Sequence, residues 1–102
     1  MDRRLTASEL KALRAQLGTR AAVLRPAVEH ALPAAGRDDA AVAALARDVD
    51  ELARIDRALA RIDQPEYGRC VDCSTGIALA RLATEPDAVR CTRCQARFTS
   101  AA

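Results

Sequence analysis

The chain has 102 residues, 24 of them alanine, with 16 Lys and Arg, 14 Asp and Glu, and four Cys. One Tyr, one Phe and no Trp leave few large side chains, so a sizeable globular core is not expected. The formal charge of +2 is too weak to imply a nucleic-acid coat, and no run approaches the roughly 18 apolar residues of a membrane span. Met1-Asp2-Arg3-Arg4 holds two arginines with no apolar stretch behind them, so no secretory signal is expected and a cytoplasmic protein is the default.

Thr6, Ala7, Ser8 and Glu9 form a capping box, a hydroxyl at a helix start with a carboxylate three residues on. Behind it Leu10, Leu13, Leu17, Ala21, Leu24, Val28 and Ala31 recur at spacings of three and four. That is one helical stripe, close to the seven-residue repeat of a coiled coil. Pro26 predicts a kink, because it lacks an N–H and clashes one turn back. The run stops at Leu32-Pro33-Ala34-Ala35-Gly36. A second helix starts beside Asp38 or Asp39, either of which can cap it, with the stripe Val42, Leu45, Val49, Leu52, Ile55, Leu59 and Ile62. Asp50 and Arg54 sit four apart on its outer face. Two helices of similar length joined by a short connection fold antiparallel. Composition shifts at Gln64-Pro65, after which all four cysteines follow.

Cys70-Val71-Asp72-Cys73 and Cys91-Thr92-Arg93-Cys94 are separated by 17 residues. Two C-x-x-C turns at this spacing favour a structural zinc, each turn offering two thiolates to one tetrahedral ion. Two disulfides and a redox-active C-x-x-C are the competing readings. Arg69, Arg90 and Arg93 lie close enough in sequence to offset the cluster's negative charge. Four thiolates and one Zn²⁺ would bring the net charge to zero. His30, off the apolar stripe, reads as a surface histidine. With no Gly-rich phosphate loop and no catalytic triad on a plausible scaffold, the expectation is a protein that is not an enzyme. A four-thiolate shell also leaves no open position for water.

The segment Tyr67-Gly68-Arg69-Cys70-Val71-Asp72-Cys73, then Ile77, Arg81-Leu82-Ala83-Thr84-Glu85-Pro86 and Cys91-Thr92-Arg93-Cys94-Gln95, resembles the DksA/TraR family. That resemblance is specific over residues 65 to 97 and architectural over residues 6 to 64. It implies a mainly α fold: an antiparallel helical hairpin, or coiled-coil arm, over residues 1–64 with its tip near 33–41. A four-cysteine zinc-finger module with a C-terminal helix would follow over residues 65–102. It further implies a bacterial transcription regulator that binds RNA polymerase rather than a promoter sequence. In that family the arm enters the polymerase secondary channel and acidic tip residues act there.

The tip departs from the family's D-x-x-D-x-A. In one register Asp39 and Ala41 match and Gly36 replaces the first Asp; in the other Asp38 and Ala40 match and Ala35 replaces it. Asp38, Asp39 and Ala41 are therefore the candidate polymerase contacts, with capping of the second helix as the plainer role for the acids. The arm is roughly two helical turns shorter than in the longest members. Members that respond to guanosine tetraphosphate carry basic residues where this chain has Glu85 and Gln95, so dependence on that nucleotide is not expected. Arg54 remains a possible match to a basic position on the second helix. The alternative function is a zinc-ribbon-like nucleic-acid-binding or protein-adaptor module, with Arg69, Arg81, Arg90, Arg93 and Arg97 as a phosphate-facing surface. Five arginines against four acidic residues beyond residue 64 make that surface weakly basic.

Overall fold

A computed structural model describes residues 4–34, 36 and 38–101. Four helices follow one another: α1 (Ala7–Ala34), α2 (Asp39–Arg61), α3 (Leu79–Thr84) and α4 (Thr92–Ala101). Among the described residues the only extended pairing is a single antiparallel bridge between Arg69 and Gly76.

The predicted capping box forms. The Thr6 amide donates to Glu9 Oε1 at 2.9 Å, and the Glu9 amide donates to Thr6 Oγ1 at 3.0 Å. Asp38 caps α2, its Oδ1 accepting from the amides of Ala40 at 3.0 Å and Ala41 at 3.3 Å. Gly36 adopts φ +54°, in the left-handed region open to glycine at little cost. α1 runs as one helix through Pro26, which lies on its exposed side. A proline facing solvent is tolerated there because carbonyls on that side already tilt outward toward water.

α1 and α2 pack as an antiparallel hairpin. At about 1.5 Å per residue, the 28 residues of α1 span roughly 42 Å. That nearly fills the molecule's longest dimension of 46 Å, while its thinnest is 18 Å. On α1 the expected stripe holds throughout, with Leu13, Leu17, Ala21, Leu24 and Val28 buried and Leu10 and Ala31 half-buried. On α2 it holds only in part. Leu52, Ile55 and Ile62 are buried, but Val42 and Val49 are exposed, and Ala58, absent from the expected stripe, is fully buried. Leu45 and Leu59 of the expected stripe are half-buried against the core, and toward the turn Ala41 and Asp48 are half-buried where Val42 and Val49 are not.

Ion pairs flank this seam on both sides. Arg14 and Arg25 each follow a buried leucine of α1 and pair with Asp63 and Asp56. On the opposite flank Arg20 grips Glu51 with two hydrogen bonds, at 2.7 and 3.0 Å. The Arg20 hydrogen bond holds the Glu51 carboxyl below its ordinary range, outweighing burial. The expected Asp50–Arg54 pair closes at 3.1 Å.

The C-terminal module lies against the basal half of the hairpin. Leu5 seats on Gly68, where a Cβ would come within 3.1 Å of its Cδ1. Arg57 of α2 pairs with Asp87 at 3.1 Å. One cluster of buried side chains runs from Leu13 and Ile62 into Tyr67, Ile77, Leu82 and Cys94. Beyond Ala21 the hairpin continues toward its turn for roughly another 20 Å.

Truncation at the seam separates its residues. Ile55→Ala, at a site 2 % exposed, should cost about 2–4 kcal/mol in denaturant unfolding. Val49→Ala should stay within about 0.5 kcal/mol of the parent.

Candidate metal centre

Each cysteine pair sits on a tight turn with its own hydrogen bonds. In the first, the Ser74 amide donates to the Cys70 carbonyl at 3.0 Å and the Cys70 amide to the Thr75 carbonyl at 2.8 Å. Ser74 turns the chain with φ +65°. In the second, Cys91 precedes the first turn of α4, and the Cys94 amide donates to Cys91 Sγ at 3.5 Å. A thiolate there also benefits from the positive end of the helix dipole.

Two contacts hold the turns together and a third ties the second turn to α3. The Val71 amide donates to the Val89 carbonyl at 2.9 Å, and Arg90 Nε to Asp72 Oδ2 at 2.9 Å. Arg81 Nε donates to the Arg90 carbonyl at 3.0 Å, one residue before Cys91. The Arg90 guanidinium also lies 4.0 Å above the Phe98 ring, tying α4 to the same corner. Tyr67 is buried, and its hydroxyl donates to the Pro86 carbonyl at 2.9 Å. Tyrosine and proline of the two sequence motifs thus meet, and Leu82 between them is completely buried.

The four Sγ atoms converge. All lie within 4.8 Å of one another, and Cys73 Sγ and Cys91 Sγ are 3.8 Å apart. A tetrahedral Zn²⁺ with Zn–S bonds of about 2.3 Å places its sulfurs about 3.8 Å apart, so the donor set fits. The cysteines are free, which sets the disulfide reading aside. Cys70 and Cys94 are buried, Cys91 half-buried and Cys73 exposed. The Thr75 hydroxyl lies 2.9 Å from Cys73 Sγ, placed to donate to its thiolate.

Electrostatics at the cluster demand a cation. Burial opposes ionisation of Cys70, but backbone N–H groups of Cys91, Cys73 and Asp72 prevail and lower its thiol to about 6. The Cys94 N–H likewise lowers Cys91. Cys94 is pushed up to about 12 by its hydrogen bond to Cys91, by burial and by the neighbouring sulfurs. Some thiolates form readily and the last resists. A divalent ion removes that resistance.

Residues 65–99 match the family model of the prokaryotic dksA/traR C4-type zinc finger. The C-terminal module is a dksA/traR C4-type zinc finger. Its four cysteines form a structural zinc site, and the match leaves the hairpin outside. Searches of curated proteins and of solved structures gave no match.

The other candidate residues are dispersed. Arg54 pairs with Asp50, Arg69 donates to the Ser74 carbonyl at 2.9 Å, and Arg81 and Arg90 hold the finger as described. Arg93 lies exposed on α4. Glu85 pairs with Arg81 at 3.3 Å, and the Gln95 amide donates to Thr99 at 3.3 Å. His30 is exposed near the turn. Asp38, Asp39 and Ala41 stand together at the arm's far end, while Ala35 lies outside the described residues. The Tyr67–Pro86 and Arg81–Arg90 contacts were not foreseen, although the sequence motifs contain Tyr67, Arg81 and Pro86 and Arg90 stands next to Cys91.

Two outcomes follow. Cys73→Ser should abolish tight one-to-one zinc binding and unfold the finger, since zinc supplies on the order of 10 kcal/mol of its folding free energy. Metal analysis and circular dichroism check this. Burial raises the Tyr67 phenol to about 12, so its neutral form is the one favoured by the fold. That contribution is complete below the unfolded value near 10 and lost as pH rises through about 12. Unfolding free energy measured from pH 9 to 12 should fall more steeply for the parent than for Tyr67→Phe.

Proposed function

We propose that the protein is a DksA/TraR-like, non-enzymatic regulator of transcription in the bacterial cytoplasm. It binds RNA polymerase directly and inserts its helical arm into the secondary channel. The observation that carries this reading is the mounting of a finger of this family at the base of a thin hairpin with acidic residues at its turn. A narrow arm can enter a channel that a globular domain cannot, and a carboxylate at its end can engage cationic groups there.

The two tip acids divide the work. Asp38 is committed to the amides of Ala40 and Ala41, whereas among the described residues no partner holds the Asp39 carboxylate. Asp39, in register with the family's second acid, is the contact and Asp38 the cap. Ala41, half-buried beside them, lets the helices close near the turn. Glu85 and Gln95 at the positions that are basic in nucleotide-responsive members support activity independent of guanosine tetraphosphate. Among the described residues no helix is long and apolar enough to cross a membrane.

The nucleic-acid reading draws chiefly on Arg93 and Arg97 of α4, since Arg81 and Arg90 are engaged within the fold and Arg69 lies apart from them, with one nitrogen on the Ser74 carbonyl. Retention on heparin at low salt tests it, and weak retention would speak against it.

Binding to bacterial RNA polymerase core, with transcription from a promoter that forms an unstable open complex, tests the proposal. Asp39→Asn should keep polymerase binding and lose at least about tenfold of the transcriptional effect. Asp38→Asn should keep both, because Asn caps helices as well as Asp. Absence of binding by the parent would overturn the reading, and loss with Asp38→Asn alone would reverse the assignment.

A further inference from the structure

A cavity of about 320 Å³ opens where the start of α1, the end of α2 and the finger meet. Its volume is at the small end for ligand sites. Its rim carries three guanidinium groups, Arg4, Arg14 and Arg69, against one carboxylate, Asp63. Arg14 already pairs with Asp63, and Arg69 uses one nitrogen on the Ser74 carbonyl. The remaining Arg69 donors are unused by that bond, and Arg4 has no partner among the described residues. Leu5, Leu10, Ile62 and Pro65 form an apolar floor.

These features come from three separate stretches of chain, brought together by packing rather than by sequence. The seat of Leu5 on Gly68 fixes the segment that carries Arg4. The bridge between Arg69 and Gly76 fixes the strand segment that carries Arg69. Three like charges beside a partly dehydrated surface repel one another, and a single carboxylate does not neutralise them. A doubly charged anion does. Guanidinium groups match phosphate oxygens in pairwise hydrogen bonds, and the apolar floor suits an organic body attached to the phosphate.

The geometry points to this cavity as a binding site for a small organic phosphate, a phosphomonoester of mononucleotide size or smaller. Arg4 and Arg69 hold the phosphate, Arg14 supports it while oriented by Asp63, and the apolar floor carries the remainder. The site lies on the Arg14–Asp63 flank of the hairpin. Arg54, Glu85 and Gln95 do not line it.

Titration of the full-length zinc-loaded protein tests it, with inorganic phosphate, adenosine 5′-monophosphate and uncharged adenosine as probes. Calorimetry measures affinity, and amide shifts of Gly68, Arg69 and Gly76 report the place. Adenosine 5′-monophosphate should saturate with Kd on the order of 0.1–1 mM, phosphate more weakly, and adenosine not at all. Arg4→Ala, which removes no internal hydrogen bond, should weaken binding tenfold or more, and Arg69→Ala likewise with zinc content unchanged. Arg54→Ala on the opposite flank should leave it intact. No saturable binding, binding of adenosine alone, or equal loss with Arg54→Ala would overturn the assignment. So would binding to nucleic acid only, removed by Arg93→Ala and Arg97→Ala.

Discussion

Four thiol sulfurs within 4.8 Å of one another cannot all ionise beside each other without a cation, and this constraint organises the C-terminal third of the chain. The turns at Cys70–Cys73 and Cys91–Cys94 are too short to be stable alone, and the module has only Tyr67, Ile77 and Leu82 as large buried side chains besides the cysteines. Metal coordination supplies what so small an apolar core lacks. The backbone amides aimed at Cys70 and Cys91 prepare for that charge, Arg90 links the two turns, and Arg81 ties the second of them to α3.

The finger in turn closes the base of the arm. A two-helix hairpin buries one stripe per helix, which is seldom enough for stability in isolation. Here the stripe continues into the finger through Ile62, Tyr67 and Leu82, so the basal half of the hairpin gains a third packed layer. The distal half has only its own seam and the flanking ion pairs. A stiff root with an unencumbered tip follows from this unequal support.

Much of this was legible because it is local. The capping box at Thr6 and Glu9, the cap at Asp38 and the paired C-x-x-C turns each depend on residues within a few positions. The α1 stripe was legible because leucines mark it against an alanine background. The α2 stripe was less so. Alanine is everywhere in this chain, so nothing in the sequence distinguishes the fully buried Ala58, or the seam residue Ala41, from exposed alanines. A valine at seven-residue spacing looks more apolar than its neighbour, yet Val42 and Val49 are exposed while Ala41 and Asp48, one position before them, are half-buried. The contacts of Tyr67 with Pro86, and of Leu5 with Gly68, join residues far apart in sequence, where periodicity carries no information.

The thinning of the seam toward the turn has a dynamic consequence. Between Val28 and the turn the interface rests on alanines and Leu45, which bury little area per residue, while Leu32 and Val42 remain in water. The free energy needed to open the backbone must therefore decline along the arm, from the zinc-braced root to the end. Amide hydrogens of the described residues flanking the turn are expected to exchange through local opening, whereas those beside Leu13 and Ile55 await unfolding of the molecule as a whole. The acidic end is consequently the part of the fold that can rearrange at least cost, adjusting its last turns to a surface without disturbing the metal that anchors it.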